Sequence, residues 1–202
     1  GVLFDTEKYY YDRRANFLAQ KGISIDHLPP SFFIGGNTKQ VWENILRDDY
    51  DNWDVPTLQE EYNAYKQDNP LPYKELIFPD VFKVLNEVNS RGLKIGLASS
   101  SVKADILRAL EENHLNGFFD VVLSGEEFKE SKPNPEIYLT ALQHLNVEAN
   151  QALIIEDSEK GIAAGVAAGV EVWAIKDNRF GMDQSAAKGL LDNLIDVLDL
   201  LK

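Results

Sequence analysis

Cysteine is absent from this chain of 202 residues, and histidine occurs only three times. Without thiols the chain can form no disulfide bridge, thiolate nucleophile or thiolate metal site. The histidines, His27, His114 and His144, lack the spacing of a histidine metal site, and we interpret them as surface or helix-end residues. Any bound metal is therefore expected to use oxygen ligands, which favours a hard cation such as Mg²⁺.

Positive charge and long apolar runs are also scarce. The chain has 20 lysines and arginines against 33 aspartates and glutamates, a formal net charge of -13. Since nucleic acids are bound largely by positive side chains, this balance argues against a nucleic-acid partner, and an anionic substrate must be held by local positive charge. No stretch approaches the roughly 18 apolar residues of a membrane span, and nothing resembles a signal peptide. We expect no membrane partner and a cytoplasmic location.

A regular alternation of strands and helices begins near Asp80. Apolar runs at 93–98, 121–123, 152–155 and 170–175 predict buried parallel strands, and amphipathic segments between them predict helices, with a final helix from about Gly189 to Leu201. Residues 10–77 show helical patterns and no convincing strand. The pattern predicts an α/β fold with a doubly wound, parallel, Rossmann-like sheet, made of a core (1–9 and 78–202) and a helical segment (10–77).

The first residues, Gly1 to Glu7, have the character of the middle of a loop. We therefore expect the first strand of the sheet to lie upstream of Gly1. The helical segment would then be an insert that comes after this strand.

The stretch Ala152–Ser158 carries the strongest chemical signal. Four apolar residues run directly into Glu156 and Asp157, and Ser158 and a small-residue helix follow. Ligands bind at the carboxyl ends of strands in open α/β sheets. Adjacent carboxylates repel each other unless a cation, a lysine or hydrogen bonds offset the repulsion. On this stretch alone, a magnesium site and a simple helix cap by Asp157 and Ser158 are both open.

Two further stretches are expected at the same edge of the sheet. Ser99, Ser100 and Ser101 follow the 93–98 strand, and serines that lead into a helix can cradle a phosphate or simply cap the helix. Lys132 stands in a Lys-Pro-Asn-Pro stretch, where Asn134 and Pro135 open a helix. Its ammonium could be a fixed positive charge in the site, or an ordinary solvated lysine.

The order and spacing of these stretches resemble the haloacid dehalogenase superfamily, in particular its β-phosphoglucomutase-like branch of phosphatases and mutases. Gly1–Glu7 matches the segment directly after the first motif of that family, whose Asp-x-Asp pair immediately precedes the glycine. Ser99 matches the phosphate-binding residue of the second motif, and Lys132 matches the lysine of the third. Glu156 and Asp157 match the acidic pair of the fourth.

The resemblance implies a hydrolase that transfers a phosphoryl group from a small phosphorylated metabolite in two steps, through an aspartyl-phosphate. Magnesium would be held by Asp157, with Glu156 as an outer ligand through water, while Lys132 and Ser99 share the negative charge of the phosphate. The helical insert would be a cap. The expected phosphate- or substrate-binding residues are Ser100, Thr6, Asn134 and, in the cap loop, Gly36, Asn37 and Thr38. We expect a monomer or weak dimer, and because both catalytic aspartates would precede Gly1, residues 1–202 alone should be inactive.

Three alternatives bear on the reaction. Tyr10 and Val102 stand where the phosphoglucomutases of the family have a histidine and a lysine, which favours a phosphatase over a sugar-phosphate mutase. A dehalogenase would not need the acidic pair followed by Ser158. If no Asp-x-Asp precedes Gly1, the chain would instead be a non-catalytic phosphate- or partner-binding protein.

Overall fold

The computed structural model describes residues 1–34 and 41–201, and the chain splits into two compact units. The first unit contains Gly1–Asp5 and the chain from Tyr73 onward. The second contains Thr6–Ile34 and the described chain that continues to Pro72. The boundaries predicted from sequence, 1–9 with 78–202 and 10–77, stay a prediction.

The second unit is helical. It contains α1 (Glu7–Gln20), α2 (Val41–Leu46) and α3 (Val55–Asp68), with short 3₁₀ helices at Pro30–Phe33 and Arg47–Asn52. Its core is formed by apolar and aromatic side chains from all three α-helices, among them Phe17, Leu18, Trp42, Leu58 and Tyr62. Burial of this cluster stabilises helices that are too short to be stable on their own in water.

The first unit alternates helices with strands. In chain order its elements are α4 (Tyr73–Leu76), α5 (Val81–Ser90), β1 (Gly96–Ser99), α6 (Lys103–Glu112), β2 (Val121–Ser124), α7 (Glu136–Leu145), β3 (Leu153–Glu156), α8 (Glu159–Ala167), β4 (Glu171–Ile175) and β5 (Gly189–Leu191). Short 3₁₀ helices lie at Asn116–Phe118, Gly125–Glu127, Ala149–Gln151 and Leu194–Asp199.

All strand pairing in the described part of the chain is parallel, apart from one isolated antiparallel bridge between Phe4 and Ile77. β1 pairs with β2, while β3 pairs with β4 and β4 with β5, so the five strands form one two-stranded and one three-stranded sheet. The predicted α/β class with parallel strands is confirmed. Parallel pairing also brings the ends of β3 and β4 to the same edge, since Glu156 is in register with Ala174.

The predicted helix from Gly189 to Leu201 is wrong. This segment forms β5 and then the 3₁₀ helix Leu194–Asp199. Gly189 lies against the ring of Trp173, where an added Cβ would come within 2.4 Å of a ring carbon. Leu191 is buried opposite Ile175 of β4. The apolar residues of this segment fit a strand followed by a short 3₁₀ helix as well as they fit an α-helix, and contact with β4 decides between the two.

Among the described helices, none combines the length and the apolar character needed to cross a membrane.

Candidate functional site

The acidic pair lies at the junction of β3 and α8. Glu156 is the last residue of β3, and Ser158 caps α8 because its Oγ accepts a hydrogen bond from the Gly161 N–H at 3.1 Å. The Glu156 carboxylate turns back toward this helix. Its Oε2 accepts hydrogen bonds from the N–H groups of Asp157 (3.1 Å) and Ser158 (3.4 Å) and from the Ser158 hydroxyl (3.3 Å). The capping prediction is therefore confirmed for Ser158, and the Glu156 carboxylate lies at the positive end of the helix.

Gly161 makes room for this carboxylate. A Cβ added at Gly161 would lie 2.1 Å from Cδ of Glu156 and 2.2 Å from each carboxylate oxygen. Atoms cannot approach so closely, so Glu156 can occupy this position only because residue 161 has no side chain.

Lys132 reaches the same carboxylate from the loop before α7. Its Nζ donates hydrogen bonds to Oε1 of Glu156 (2.5 Å), to the Tyr138 hydroxyl oxygen (3.0 Å) and to the Ala98 carbonyl of β1 (3.1 Å). The Tyr138 hydroxyl in turn donates to Oε1 of Glu156 at 2.5 Å. An ammonium group has three donors, so each proton of Lys132 has an acceptor in the protein. The three side chains are buried together.

The electrostatics of this cluster keep Glu156 ionised and Tyr138 protonated. Burial alone would raise the pKa of Glu156, but the charge of Lys132 and the hydrogen bonds from Lys132 and Tyr138 outweigh it and lower the pKa to about 2. Burial raises the pKa of Tyr138 well above its usual range, and the Glu156 charge adds to this effect. Lys132 and Glu156 thus form a buried ion pair that is completed by a neutral hydroxyl donor.

Asp157 points to the beginning of the chain. Its Oδ2 lies 3.3 Å from the backbone nitrogen of Gly1, and its side chain is 17% exposed. A Cβ added at Gly1 would lie 1.9 Å from this oxygen, so the approach requires a glycine. Residues 1–34 and 41–201 contain no group of three or more His, Asp or Glu side chains that could hold a metal ion. The described chain thus offers the Asp157 carboxylate as one hard oxygen ligand, and further ligands would have to come from elsewhere.

Gln184 contacts the backbone at the ends of β3 and β4. No pattern in the surrounding sequence predicts a role for this residue at the site. Its Nε2 donates to the carbonyls of Asp157 and Ile175, each at 2.8 Å, and its Oε1 accepts a hydrogen bond from the Asp177 N–H at 2.8 Å. The side chain is buried. Gln184 therefore connects the two residues that follow the last pair of the β3–β4 ladder, Glu156 and Ala174.

The loop from Asp177 to Gln184 is itself ordered by Asp177. Its Oδ1 accepts hydrogen bonds from the N–H groups of Arg179 and Phe180, and its Oδ2 accepts one from the Met182 N–H. Arg179 forms two hydrogen bonds with the carboxylate of Asp5, at 2.6 and 3.0 Å. This pair joins the loop to the N-terminal segment.

The serine stretch follows β1 at the edge where Lys132 lies. Ser99 is the last residue of β1, and its Oγ accepts a hydrogen bond from the Ser101 N–H at 3.1 Å. The fully buried Ser124 donates to the Ser101 carbonyl at 2.7 Å. Simple capping of α6 by Ser100 or Ser101 is wrong, since Val102 occupies the N-cap position without a side-chain hydrogen bond. Lys132 thus contacts both Ala98, the residue before Ser99, and Glu156, the residue before Asp157, so the ends of β1 and β3 lie close to this lysine.

The other predicted binding residues lie elsewhere or outside the described chain. Asn134 accepts a hydrogen bond from the Glu136 N–H and donates one to Glu130, both in exposed positions. Thr6 occupies the N-cap position of α1 in the second unit, and its hydroxyl donates to Glu7 at 3.3 Å. Gly36, Asn37 and Thr38 lie outside the described residues. The roles predicted for Asn134 and Thr6 stay predictions.

Comparisons with known proteins agree on one family. Residues 1–175 match the model of a family described as haloacid dehalogenase-like hydrolase. A phosphorylated carbohydrates phosphatase of Thermotoga maritima is 39% identical over 176 residues, which cover 85% of this chain and 79% of that protein. A phosphoglycolate phosphatase of Aquifex aeolicus is 30% identical over a region that covers 85% of this chain and 78% of that protein. The crystal structure of a β-phosphoglucomutase from Clostridium difficile superposes with a TM-score of 0.79 at 25% identity, over 100% of this chain and 89% of that one.

Proposed function

Because the chain belongs to the haloacid dehalogenase-like hydrolase family, we propose that it is a magnesium-dependent phosphatase for a small phosphorylated metabolite, a sugar phosphate or a similar compound. The observation that carries this proposal is the position of Lys132, whose ammonium touches both β1, next to Ser99, and Glu156 at the end of β3. The names of the two related phosphatases support the substrate class.

Asp157 is the residue of this chain that would hold the metal, with Glu156 next to it as the proposed outer ligand. A carboxylate oxygen suits Mg²⁺, and the bound ion would stabilise negative charge on the phosphate. In the structure both oxygens of Glu156 accept hydrogen bonds from protein groups. The stronger role for Glu156 is therefore to hold Lys132 in place.

The nucleophilic aspartate and the acid/base aspartate are proposed to precede Gly1 and to act through an aspartyl-phosphate. The short distance from the Gly1 nitrogen to Asp157 supports this placement, since a residue bonded to that nitrogen has its Cα within about 3.8 Å of the Gly1 Cα. An aspartate pair immediately upstream would therefore lie beside the end of β3.

Lys132 and Ser99 are proposed to bind the transferred phosphoryl group, with Ser100 and Asn134 as further contacts. Every donor of Lys132 is engaged, so a phosphate oxygen must replace one of its present acceptors. The Ala98 carbonyl and the Tyr138 hydroxyl are neutral, and a charged phosphate oxygen is a stronger acceptor than either. Exchange of one of these partners leaves the ion pair with Glu156 intact.

The helical unit between Asp5 and Tyr73 is proposed to be the cap, with Thr6 and the loop residues Gly36, Asn37 and Thr38 as substrate contacts. The support is its separate core and its insertion into the chain of the first unit. A monomer or weak dimer and a cytoplasmic location belong to the same proposal.

A sugar-phosphate mutase is the second candidate, and one contact argues against it. The lysine nearest the serine stretch is Lys103, which follows Val102. Its Nζ donates to the Val122 carbonyl of β2 at 2.6 Å and to the Glu127 carboxylate at 3.2 Å. Lys103 is therefore used inside the β2 region and does not replace the missing lysine at position 102.

The test is a screen of phosphorylated metabolites with the protein that includes the residues preceding Gly1, with and without a metal chelator. We expect phosphate release that the chelator abolishes and that Asp157→Asn lowers by at least about 100-fold. Asp192→Asn, at a position with a 79% exposed side chain, serves as the matched control and should retain full activity.

Phosphate release that survives chelation, or that Asp157→Asn leaves unchanged, would contradict the magnesium mechanism. Formation of an isomeric sugar phosphate without phosphate release would favour the mutase. Binding of phosphate without turnover, together with the absence of Asp-x-Asp before Gly1, would favour the non-catalytic alternative.

A further inference from the structure

We infer that Gln184 is a positioning residue for Asp157, and that its side-chain amide holds the backbone of this residue in the orientation needed to bind a divalent cation. The inference rests on the proposed function. Its basis is the placement of one buried amide between the ends of β3 and β4, where it contacts the main chain at three points.

The ladder between β3 and β4 ends at the pair Glu156 and Ala174. The next residues, Asp157 and Ile175, have no partner in that ladder, yet both direct their carbonyls at Nε2 of Gln184. The two donors of one amide group thus satisfy two main-chain acceptors. The amide extends the connection between the strands by one residue, up to the residue that carries the proposed metal ligand.

The third contact couples this connection to the loop after β4. Oε1 of Gln184 accepts a hydrogen bond from the Asp177 N–H, and the Asp177 carboxylate orders the next turn by accepting three backbone hydrogen bonds. Because the amide is bound on both sides and buried, Gln184 cannot turn without breaking these contacts. Asp157 is therefore held through its backbone, independently of the group that its carboxylate binds.

The experiment compares Mg²⁺ binding by calorimetry in the full-length wild-type protein and in its Gln184→Met variant. Methionine has a similar length and volume but can make none of the three hydrogen bonds. Groups that orient metal ligands typically change metal affinity by 10–100-fold, so we expect the Kd for Mg²⁺ to rise by about 10-fold or more. The Mg²⁺ concentration for half-maximal activity should rise in parallel, while kcat at saturating Mg²⁺ changes much less.

Gln151→Met is the matched control. Gln151 also accepts a hydrogen bond from a backbone N–H, that of Glu148 at 3.0 Å, but it precedes β3 at the opposite end of the strand. Its loss should leave the Kd unchanged. Gln184→Asn, which keeps the amide but shortens the side chain by one methylene group, should fold even if Gln184→Met does not, and should also weaken Mg²⁺ binding.

The outcomes separate this inference from the proposed function. If the wild type binds Mg²⁺ and the folded Gln184 variants bind it with the same Kd, the positioning role is refuted and the phosphatase proposal is unaffected. If the wild type itself does not bind Mg²⁺, both ideas are refuted. Weaker binding in the Gln184 variants, with unchanged binding in Gln151→Met, supports the inference.

Discussion

Glu156→Gln is the substitution that most directly tests the buried ion pair at the end of β3. Glutamine preserves the size and planarity of the side chain and removes its charge. Lys132 would then remain with 5% of its side chain exposed and without an anionic partner, since its other acceptors are the Ala98 carbonyl and the Tyr138 hydroxyl. The Tyr138 hydroxyl would also lose a charged acceptor.

The expected loss of stability follows from the burial of the pair. Removing one partner of a buried pair typically costs about 3–5 kcal/mol, because the remaining charge is desolvated without compensation. The pKa of Glu156 indicates a loss of stability of similar size. Its decrease from 4.5 in the unfolded chain to about 2 in the folded protein corresponds to about 3 kcal/mol of stabilisation. We therefore expect Glu156→Gln to lower the free energy of unfolding by about 3 kcal/mol at pH 7.

The pH dependence provides an independent check. The folded-state pKa of Glu156 is lower than the unfolded one, so its stabilisation is complete above about pH 4.5 and is lost as the pH falls toward 2. Urea unfolding of both proteins should therefore show a difference that is largest above pH 4.5 and shrinks below it. The surface variant Glu87→Gln, which removes an exposed pair with Arg91, should cost about 0.5 kcal/mol or less.

Two results would refute this reasoning. One is a loss of less than about 1 kcal/mol in Glu156→Gln, which would mean that Lys132 finds water or another partner at little cost. The other is a difference between the two proteins that stays constant from pH 7 to pH 3. Either result would show that the pair is weaker, or less buried, than its geometry indicates.

Two further predictions concern Gly161 and Asp177. Gly161→Ala should lower the melting temperature and reduce the free energy of unfolding by roughly 1–3 kcal/mol. The clash of the new Cβ with the Glu156 carboxylate should outweigh the gain of about 1 kcal/mol in helix propensity. A higher melting temperature would contradict the close approach of these groups. Asp177→Asn should make the melting temperature fall less steeply below about pH 4. Burial tends to raise the pKa of Asp177, but its backbone hydrogen bonds outweigh this and lower it, so the stabilisation by the carboxylate is present above pH 3.8 and is lost in acid. An unchanged profile of melting temperature against pH would contradict this role.

The position of the acidic pair could be predicted from the sequence because it depends on local pattern and a general property of sheets. A short apolar run followed by acids and a small-residue helix predicts a strand that ends where a helix begins. Parallel strands then bring their carboxyl ends to the same edge. The same logic predicted Ser99 at the end of a strand, and Ser99 is the last residue of β1. The observed strands overlap the predicted runs but are shifted toward the C-terminus, with β1 at Gly96–Ser99 instead of 93–98 and β3 at Leu153–Glu156 instead of 152–155.

The contacts of the pair could not be predicted, because they depend on how separate elements pack. Tyr138 has the spacing of an apolar helix residue, and nothing local indicates that its hydroxyl meets Glu156. Gly161 belongs to a run of small residues that equally suits close packing of α8. Gln184 lies in a polar loop, and its three partners come from other parts of the chain. The pattern of apolar residues specifies which face of a helix or strand is buried, whereas tertiary packing specifies which polar atoms meet at that face.

The charges at the end of β3 bear on how an anionic substrate could bind there. The net charge of -13 requires local positive charge for an anionic substrate, and Lys132 is the lysine that lies at this site. Glu156 neutralises it at close range, however, and Asp157 adds a further negative charge, so the three side chains together carry a charge of -1. A phosphate dianion would be repelled by this set. If the proposed mechanism is correct, a metal ion next to Asp157 would offset this repulsion, and metal and phosphate should therefore bind cooperatively.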